Sequence, residues 1–443
     1  MPVNKNYLPS RIGLHYFSDT VHYRVDDLKF WITEFKKLNL GWLVLKSDSD
    51  RAIPEFFLRS LIQENITPIL EFNLPVNHSI NSKELRILLQ VYARWGVRYV
   101  IFYDRPNSKE SWPASSWTQQ DLVERFLDQY IPLARQALEE GLIPVFPPLQ
   151  PGGSYWDTAF LRSCLTNLQR RKQEIILKNL VLAAYAHSNN KDLNWGMGGP
   201  QHWPQTKPYI TPEGSQDQQG FRIYDWYQAI SLAVLQKEVP IILLQSGLPA
   251  FPESIIVSDD LIKKTWLNEK DILEALVSHK MLKEDVENNI EPIPTQILSC
   301  NFWLLADENQ AQSNPFSWYQ DLKPAAPLVF DCMEQCLKID PVKSTPTTIE
   351  STNNHPIRHY ILLPTYEWGV SDWHLEVIQP FIKKHKATTG YSTQEAALSA
   401  RVTVIGNPQS IPEETLEALR QKGCFVERIS GDGTSIATQL VER

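Results

Sequence analysis

Arg98-Tyr-Val-Ile-Phe-Tyr103, a helical period over residues 119–140, and Leu142-Ile-Pro-Val-Phe146 follow one another in the chain. The two short runs are almost wholly apolar and rich in β-branched and aromatic residues. That is the pattern of parallel strands covered on both faces. The stretch between them repeats its apolar residues every three or four positions, as a helix packed on a sheet does. The unit therefore reads as strand, helix, strand. Working outward, Ile12-Gly-Leu-His-Tyr-Phe17, Trp42-Leu-Val-Leu-Lys46 and Thr67-Pro-Ile-Leu-Glu-Phe72 precede it. Leu180-Val-Leu-Ala-Ala-Tyr185, Val239-Pro-Ile-Ile-Leu-Leu244 and Ile297–Leu305 follow it. Helical patterns near 26–38, 54–64, 82–95, 156–177 and 325–337 fall between and after them. Eight strand-then-helix units predict a (β/α)8 TIM barrel over residues 1–340. A doubly wound open sheet is disfavoured because no GxGxxG turn follows the first strand.

Residues 341–356, Pro-Val-Lys-Ser-Thr-Pro-Thr-Thr-Ile-Glu-Ser-Thr-Asn-Asn-His-Pro, have the composition of a linker. Beyond them, residues 357–443 alternate strands near Tyr360, Val402 and Phe425 with helical stretches at 373–384, 393–400 and 412–422. A small three-layer α/β domain is expected there. The chain of 443 residues carries 43 basic and 51 acidic side chains, a net charge of −8. This is the opposite of the basic surplus that nucleic-acid binding needs. Residues 1–10 lack an apolar signal core, and no apolar run reaches the ~18 residues of a membrane span. These features predict a cytoplasmic protein. The five cysteines show no framework spacing, and Cys332 and Cys336 have no nearby His or Cys to complete a metal site. No metal or cofactor is expected.

A barrel places its chemistry at the strand C-terminal ends. His15, Lys46, Asp48, Glu71, Asp104, Arg105, His187, Gln245 and Asp307 stand there, with Tyr16, Tyr103, Trp195, Trp203 and Trp303 adding aromatic surface. Two loops at this face are long, the one over 187–220 being rich in Trp, Gly, Pro and Gln. Sugars present apolar C–H faces and hydroxyl edges. An aromatic, polar cup without a Cys/His cluster suits them better than phosphate or nicotinamide.

Tyr99-Val-Ile-Phe-Tyr-Asp-Arg-Pro-Asn107 resembles the strand-four signature of the large clan of retaining glycoside hydrolases with TIM-barrel folds. There the strand ends in Asn-Glu-Pro and the Glu is the acid/base. Val239-Pro-Ile-Ile-Leu-Leu-Gln-Ser-Gly247 resembles the clan's strand-seven signature, whose Glu is the nucleophile, and Asn301-Phe-Trp303 with Ser317-Trp-Tyr319 resembles its strand eight. The resemblance puts Arg105 at the acid/base position and Gln245 at the nucleophile position. Retaining hydrolysis needs a carboxyl at both. Arginine cannot cycle a proton near neutral pH, and an amide is a poor nucleophile. The inherited mechanism is therefore absent.

Three readings follow. In the first, the cleft binds a carbohydrate or glycoconjugate without turnover, using His15, Lys46, Asp48, His187, Trp195, Trp203, Trp303 and Asp307. In the second, Glu71 and Asp104 form a relocated catalytic pair for inverting hydrolysis. In the third, the protein is a scaffold that binds protein partners, the C-terminal domain included. That domain has its own resemblance. Val402-Thr-Val-Ile-Gly-Asn-Pro-Gln-Ser-Ile-Pro-Glu-Glu-Thr-Leu416 and Val426-Glu-Arg-Ile-Ser-Gly431 are similar to the type-2 cell-wall-binding repeat, with Gly406-Asn407 where that family has Gly-Gly.

Overall fold

A computed structural model describes residues 10–77, 82–250, 257–277, 290–307, 314–338, 357–364, 378–379, 381–382, 387–431, 435–436 and 438–439. The chain divides into two compact units, Met1–Pro341 and Val342–Arg443. The 341–356 linker lies outside the described residues, as does most of the helix expected at 373–384.

The first unit holds eight parallel strands: β1 Ile12–His15, β2 Trp42–Lys46, β3 Thr67–Glu71, β4 Tyr99–Ile101, β5 Ile143–Pro144, β6 Leu182–Ala186, β7 Ile241–Ser246 and β8 Ile297–Phe302. They are ordered β5-β4-β3-β2-β1-β8-β7-β6. A parallel bridge between Phe146 and Leu182 joins the two ends of that row. Its hydrogen bonds run from Phe146 N to Val181 O (2.8 Å) and from Ala183 N to Phe146 O (2.9 Å). The sheet is thus a closed barrel, as the count of strand-helix units predicts. β5 is the shortest strand of the eight; Ile143 and Val145 donate on the β4 side, and Pro144, which has no N–H, offers no donor on the β6 side.

Side-chain parity separates two cores. Trp42, Val44, Ile69, Tyr99, Ile101, Val145, Ala183, Tyr185, Ile242 and Leu244 point inward and fill the barrel. Their sequence neighbours Leu43, Leu45, Leu70, Val100, Leu182 and Leu243 point outward and meet the helices. Among the described residues eight longer helices supply that layer: α1 Val25–Lys37, α2 Glu55–Gln63, α3 Ser82–Arg94, α4 Leu122–Glu139, α5 Asp157–Arg170, α6 Ile223–Leu235, α7 Asp259–Val277 and α8 Pro327–Lys338. In α4 the buried positions Val123, Phe126, Leu127, Tyr130, Ile131 and Ala134 form one stripe at three- and four-residue spacing. Phe126 meets Tyr103, Phe146 and Phe160 there, and truncating it to Ala should cost about 3–5 kcal/mol.

The second unit is a four-stranded parallel sheet of β9 Ile357–Leu362, β10 Thr388–Gly390, β11 Ser399–Ile405 and β12 Phe425–Ile429, ordered β10-β9-β11-β12. Tyr360, Leu362, Val402 and Val404 pack on one face with Leu416 and Leu419 of the helix Glu413–Gln421. Ile361, Leu363, Ile405 and Ile429 pack on the other with Ile378 and Phe381. This is the expected small three-layer α/β unit. Its Arg428 bonds the carbonyls of Gly406 (3.0 Å) and Ile411 (2.7 Å), tying the loop after β11 to the end of β12. Among the described residues no helix is long and apolar enough to cross a membrane.

Candidate functional site

The inward parity that fills the barrel with apolar side chains changes character at its C-terminal end. Lys46 and Glu71 end neighbouring strands in register, β2 against β3. Their side chains form an ion pair of 2.7 Å, with Glu71 buried. Asn73 completes the pair: its amide oxygen accepts from Lys46 Nζ (2.7 Å) and its nitrogen donates to Glu71 Oε1 (3.1 Å). Both oxygens of Glu71 are thus engaged by donors.

Asp104 and Arg105 follow β4. Arg105 adopts a left-handed backbone (φ 45°), held by its N–H to Pro148 O (3.0 Å) and by Ser108 N–H to its own carbonyl (2.9 Å). This turn folds the guanidinium back on its neighbour, so that Arg105 Nε donates to Asp104 Oδ2 at 2.8 Å. Tyr185, the last inward aromatic of β6, donates its hydroxyl to Asp104 Oδ1 at 2.7 Å. Asp104, like Glu71, has a donor on each oxygen. Burial raises the Asp104 pKa, the Arg105 charge opposes that, and the Glu71 charge adds to it.

Across the barrel, His187 Nε2 donates to Gln245 Oε1 (2.9 Å), and the His187 ring stacks on Tyr185 at 5.5 Å. His15 Nε2 donates to the Leu244 carbonyl at 2.6 Å. Burial lowers the His15 pKa to about 3 and the His187 pKa to about 4, so both rings are neutral at physiological pH. Trp303 meets His15 edge-on at 4.9 Å, and its buried indole N–H has no hydrogen-bond acceptor among the described residues. Lys46 and Arg105 keep about a fifth and a third of their side chains exposed. The floor therefore carries two cations and two carboxylates, with neutral donors around them. A charge-balanced, donor-rich surface of this kind suits hydroxyl groups rather than phosphate.

Eight residues singled out in the sequence converge here: His15, Lys46, Glu71, Asp104, Arg105, His187, Gln245 and Trp303. The others stand elsewhere on the strand-end face. Asp48 accepts from Arg51 Nη2 (2.7 Å) and lines a side pocket of ≈ 230 Å³ with Tyr23 and Lys46. Trp195 donates its indole N–H to Asp217 (2.9 Å), with Lys191 Nζ 4.3 Å from the ring centre. Trp203 donates to Met197 O (3.1 Å). Asp307 is half-buried just after the bridge between Ala306 and Tyr319. Two aromatics proposed for the mouth are core residues instead. Tyr16 is outward by parity with His15 and packs among Phe17, Tyr23 and Phe57. Tyr103 follows the end of the β4 ladder, where the alternation lapses, and turns back onto Phe126.

Tyr185 and Asn73 complete the site without having been singled out in the sequence. Tyr185 was accessible to the alternation that also turns Ala183 inward. For Asn73 no sequence signal exists. Among the described residues no group of three or more His, Cys, Asp or Glu side chains converges in a way that could hold a metal ion.

No family model matches the sequence, and neither does any curated protein sequence. Solved structures do resemble it. A monomeric β-xylosidase from Caulobacter crescentus is 11% identical over 74% of this chain and 68% of its own, with a TM-score of 0.45. A GH39 enzyme from Xanthomonas axonopodis pv. citri is 13% identical over 74% of this chain and 66% of its own, with a TM-score of 0.42. A fructose-bisphosphate aldolase from Plasmodium falciparum is 12% identical over 73% and 87%, with a TM-score of 0.36. The chain spans about two thirds of the first two proteins.

Proposed function

We propose that the first unit binds a carbohydrate or glycoconjugate in its cup and does not turn it over by the retaining mechanism. One observation carries this reading: each of the four oxygens of Glu71 and Asp104 already accepts a hydrogen bond or ion pair from a neighbouring side chain. A general acid must hold a proton for the leaving oxygen and a nucleophile must swing to the anomeric carbon, and a carboxylate tied at both oxygens to neighbouring side chains is constrained for either. Arg105 and Gln245 supply neither. What the cup does offer is the part-exposed Lys46 and Arg105 cations set among neutral polar groups, a surface suited to hydroxyl oxygens.

A second reading, inverting hydrolysis, is favoured by one feature. Burial raises the proton affinity of Asp104 while Glu71 sits against the Lys46 ammonium. Two carboxyls in contrasting environments are what an acid and a base require. The deciding experiment is hydrolysis of activated aryl glycosides and natural polysaccharides by the intact chain across roughly pH 4–8, a range bracketing carboxyl and histidine titration. The binding reading expects no turnover, together with saturable glycan binding that weakens in Arg105→Ala. Turnover lost in both Asp104→Asn and Glu71→Gln would establish the hydrolase instead. Absence of both turnover and binding would leave the scaffold reading.

A further inference from the structure

Beyond the cup, at the same end of the barrel, Trp156 and Tyr209 form an aromatic pair of which one member is largely exposed. Tyr209 and Ile210 are 59% and 60% exposed. They sit at the tip of a small turn closed by reciprocal backbone hydrogen bonds between Lys207 and Ile210, both 3.0 Å. Tyr209 has φ 71°, a left-handed conformation that bulky side chains rarely adopt. The Tyr209 ring lies 5.5 Å from that of Trp156 at 52°. The two rings form an open V rather than a closed stack.

The turn is braced on both sides. Thr206 Oγ1 donates to Gln216 O (2.7 Å), and Thr211 Oγ1 donates to Asp217 Oδ2 (2.9 Å). An exposed aromatic held on so fixed a support loses little freedom when a ligand stacks on it. The pair is also tied to the cup. Asn107, two residues after Arg105, donates to both Gln150 O (2.9 Å) and Tyr155 O (2.8 Å), next to Trp156.

We infer that Trp156 and Tyr209 form a rim subsite that stacks a pyranose ring of an extended glycan, so that the ligand is an oligosaccharide or polysaccharide rather than a single sugar. The inference rests on the proposed glycan-binding cup. It adds chain length and a second contact point. A pyranose matches the rings because its axial C–H face packs on an aromatic plane while its hydroxyl edge stays in water.

The test is a titration of the full chain with cello-, xylo-, manno- and chito-oligosaccharides of one to six units, followed by calorimetry and tryptophan fluorescence. In the binding series, affinity is expected to rise by about three- to tenfold once the chain reaches the rim, the worth of one aromatic contact. Tyr209→Ala should remove that rise and leave the affinity for the shortest ligands unchanged, whereas Tyr209→Phe should largely retain it. Trp156→Ala should match Tyr209→Ala. If Trp156→Ala fails to fold, the exposed Tyr209 variants decide alone. A rise with length that survives Tyr209→Ala, or no rise at all in a protein that binds short sugars, overturns the rim subsite and spares the cup. Failure to bind any of the series removes both.

Discussion

Asp157, Glu71 and the part-buried Asp104 are carboxyls of one barrel unit, and they are held by different kinds of partner. In the cup each carboxylate has a cation beside it: Lys46 for Glu71, Arg105 for Asp104. Asp157, at the start of α5, has uncharged donors only: Gly152 N (2.9 Å), Gln218 Nε2 (2.7 Å) and Tyr227 OH (3.0 Å). Burial drives its pKa up to about 6, and its hydrogen bonds only partly offset this. The first arrangement sets a cation beside each carboxylate, although burial still raises the Asp104 pKa against the Arg105 charge. The second places a titrating group where it joins the loop after β5, the long loop after β6, and α6. Cation pairing and neutral hydrogen bonding are thus two ways of holding an acid in one fold.

The hardest test of that contrast is Lys46→Met. It strands the Glu71 charge in a buried site and should destabilise the first unit by about 3–5 kcal/mol in chemical denaturation. Adding Glu71→Leu should recover most of that loss. A mild effect of Lys46→Met alone would mean that the pair does not act as a charge couple.

Asp157→Asn comes next. The native pKa of Asp157 is raised above its unfolded value, so its contribution to stability is full below about pH 4 and is lost as pH rises through about 6. The difference between wild-type and Asp157→Asn stability should therefore change by up to about 3 kcal/mol between pH 4 and 7. A pH-independent difference would place the titration elsewhere.

The histidines supply the opposite sign. His187 has a native pKa lowered to about 4, so its contribution is full above the unfolded value near 6.5 and is lost as pH falls. His187→Gln should spare the protein about 2 kcal/mol of acid sensitivity between pH 6.5 and 5, read from denaturation curves at each pH. The smallest effect belongs to the loop. Trp195→Phe removes one of several donors to Asp217 and should cost about 1 kcal/mol, seen as faster hydrogen exchange over 191–217.

The barrel was readable because its strands are apolar on both faces and its helices are not. The predicted run Trp42–Lys46 coincides with β2, and the run from Ile297 contains β8. The floor of the cup was readable for the same reason, since alternation names His15, Lys46 and Glu71 once the strands are placed. Alternation stops where the ladder stops, which is why Tyr103 faced the wrong way. The Asp157 cluster was beyond reach for another reason. Its donor Gln218 stands 61 residues away, in a loop without periodicity, and only closure of the barrel brings the two together.

That closure has a consequence for how the barrel opens. Seven of its seams are ladders of paired strands, whereas the eighth is the single bridge between Phe146 and Leu182. Asp157–Gln218 and Trp156–Tyr209 both span from the loop after β5 to the loop after β6, the two loops that leave this seam. They work as a clasp over a zipper with few teeth. Sub-global breathing should begin there, and the clasp sets how often it does.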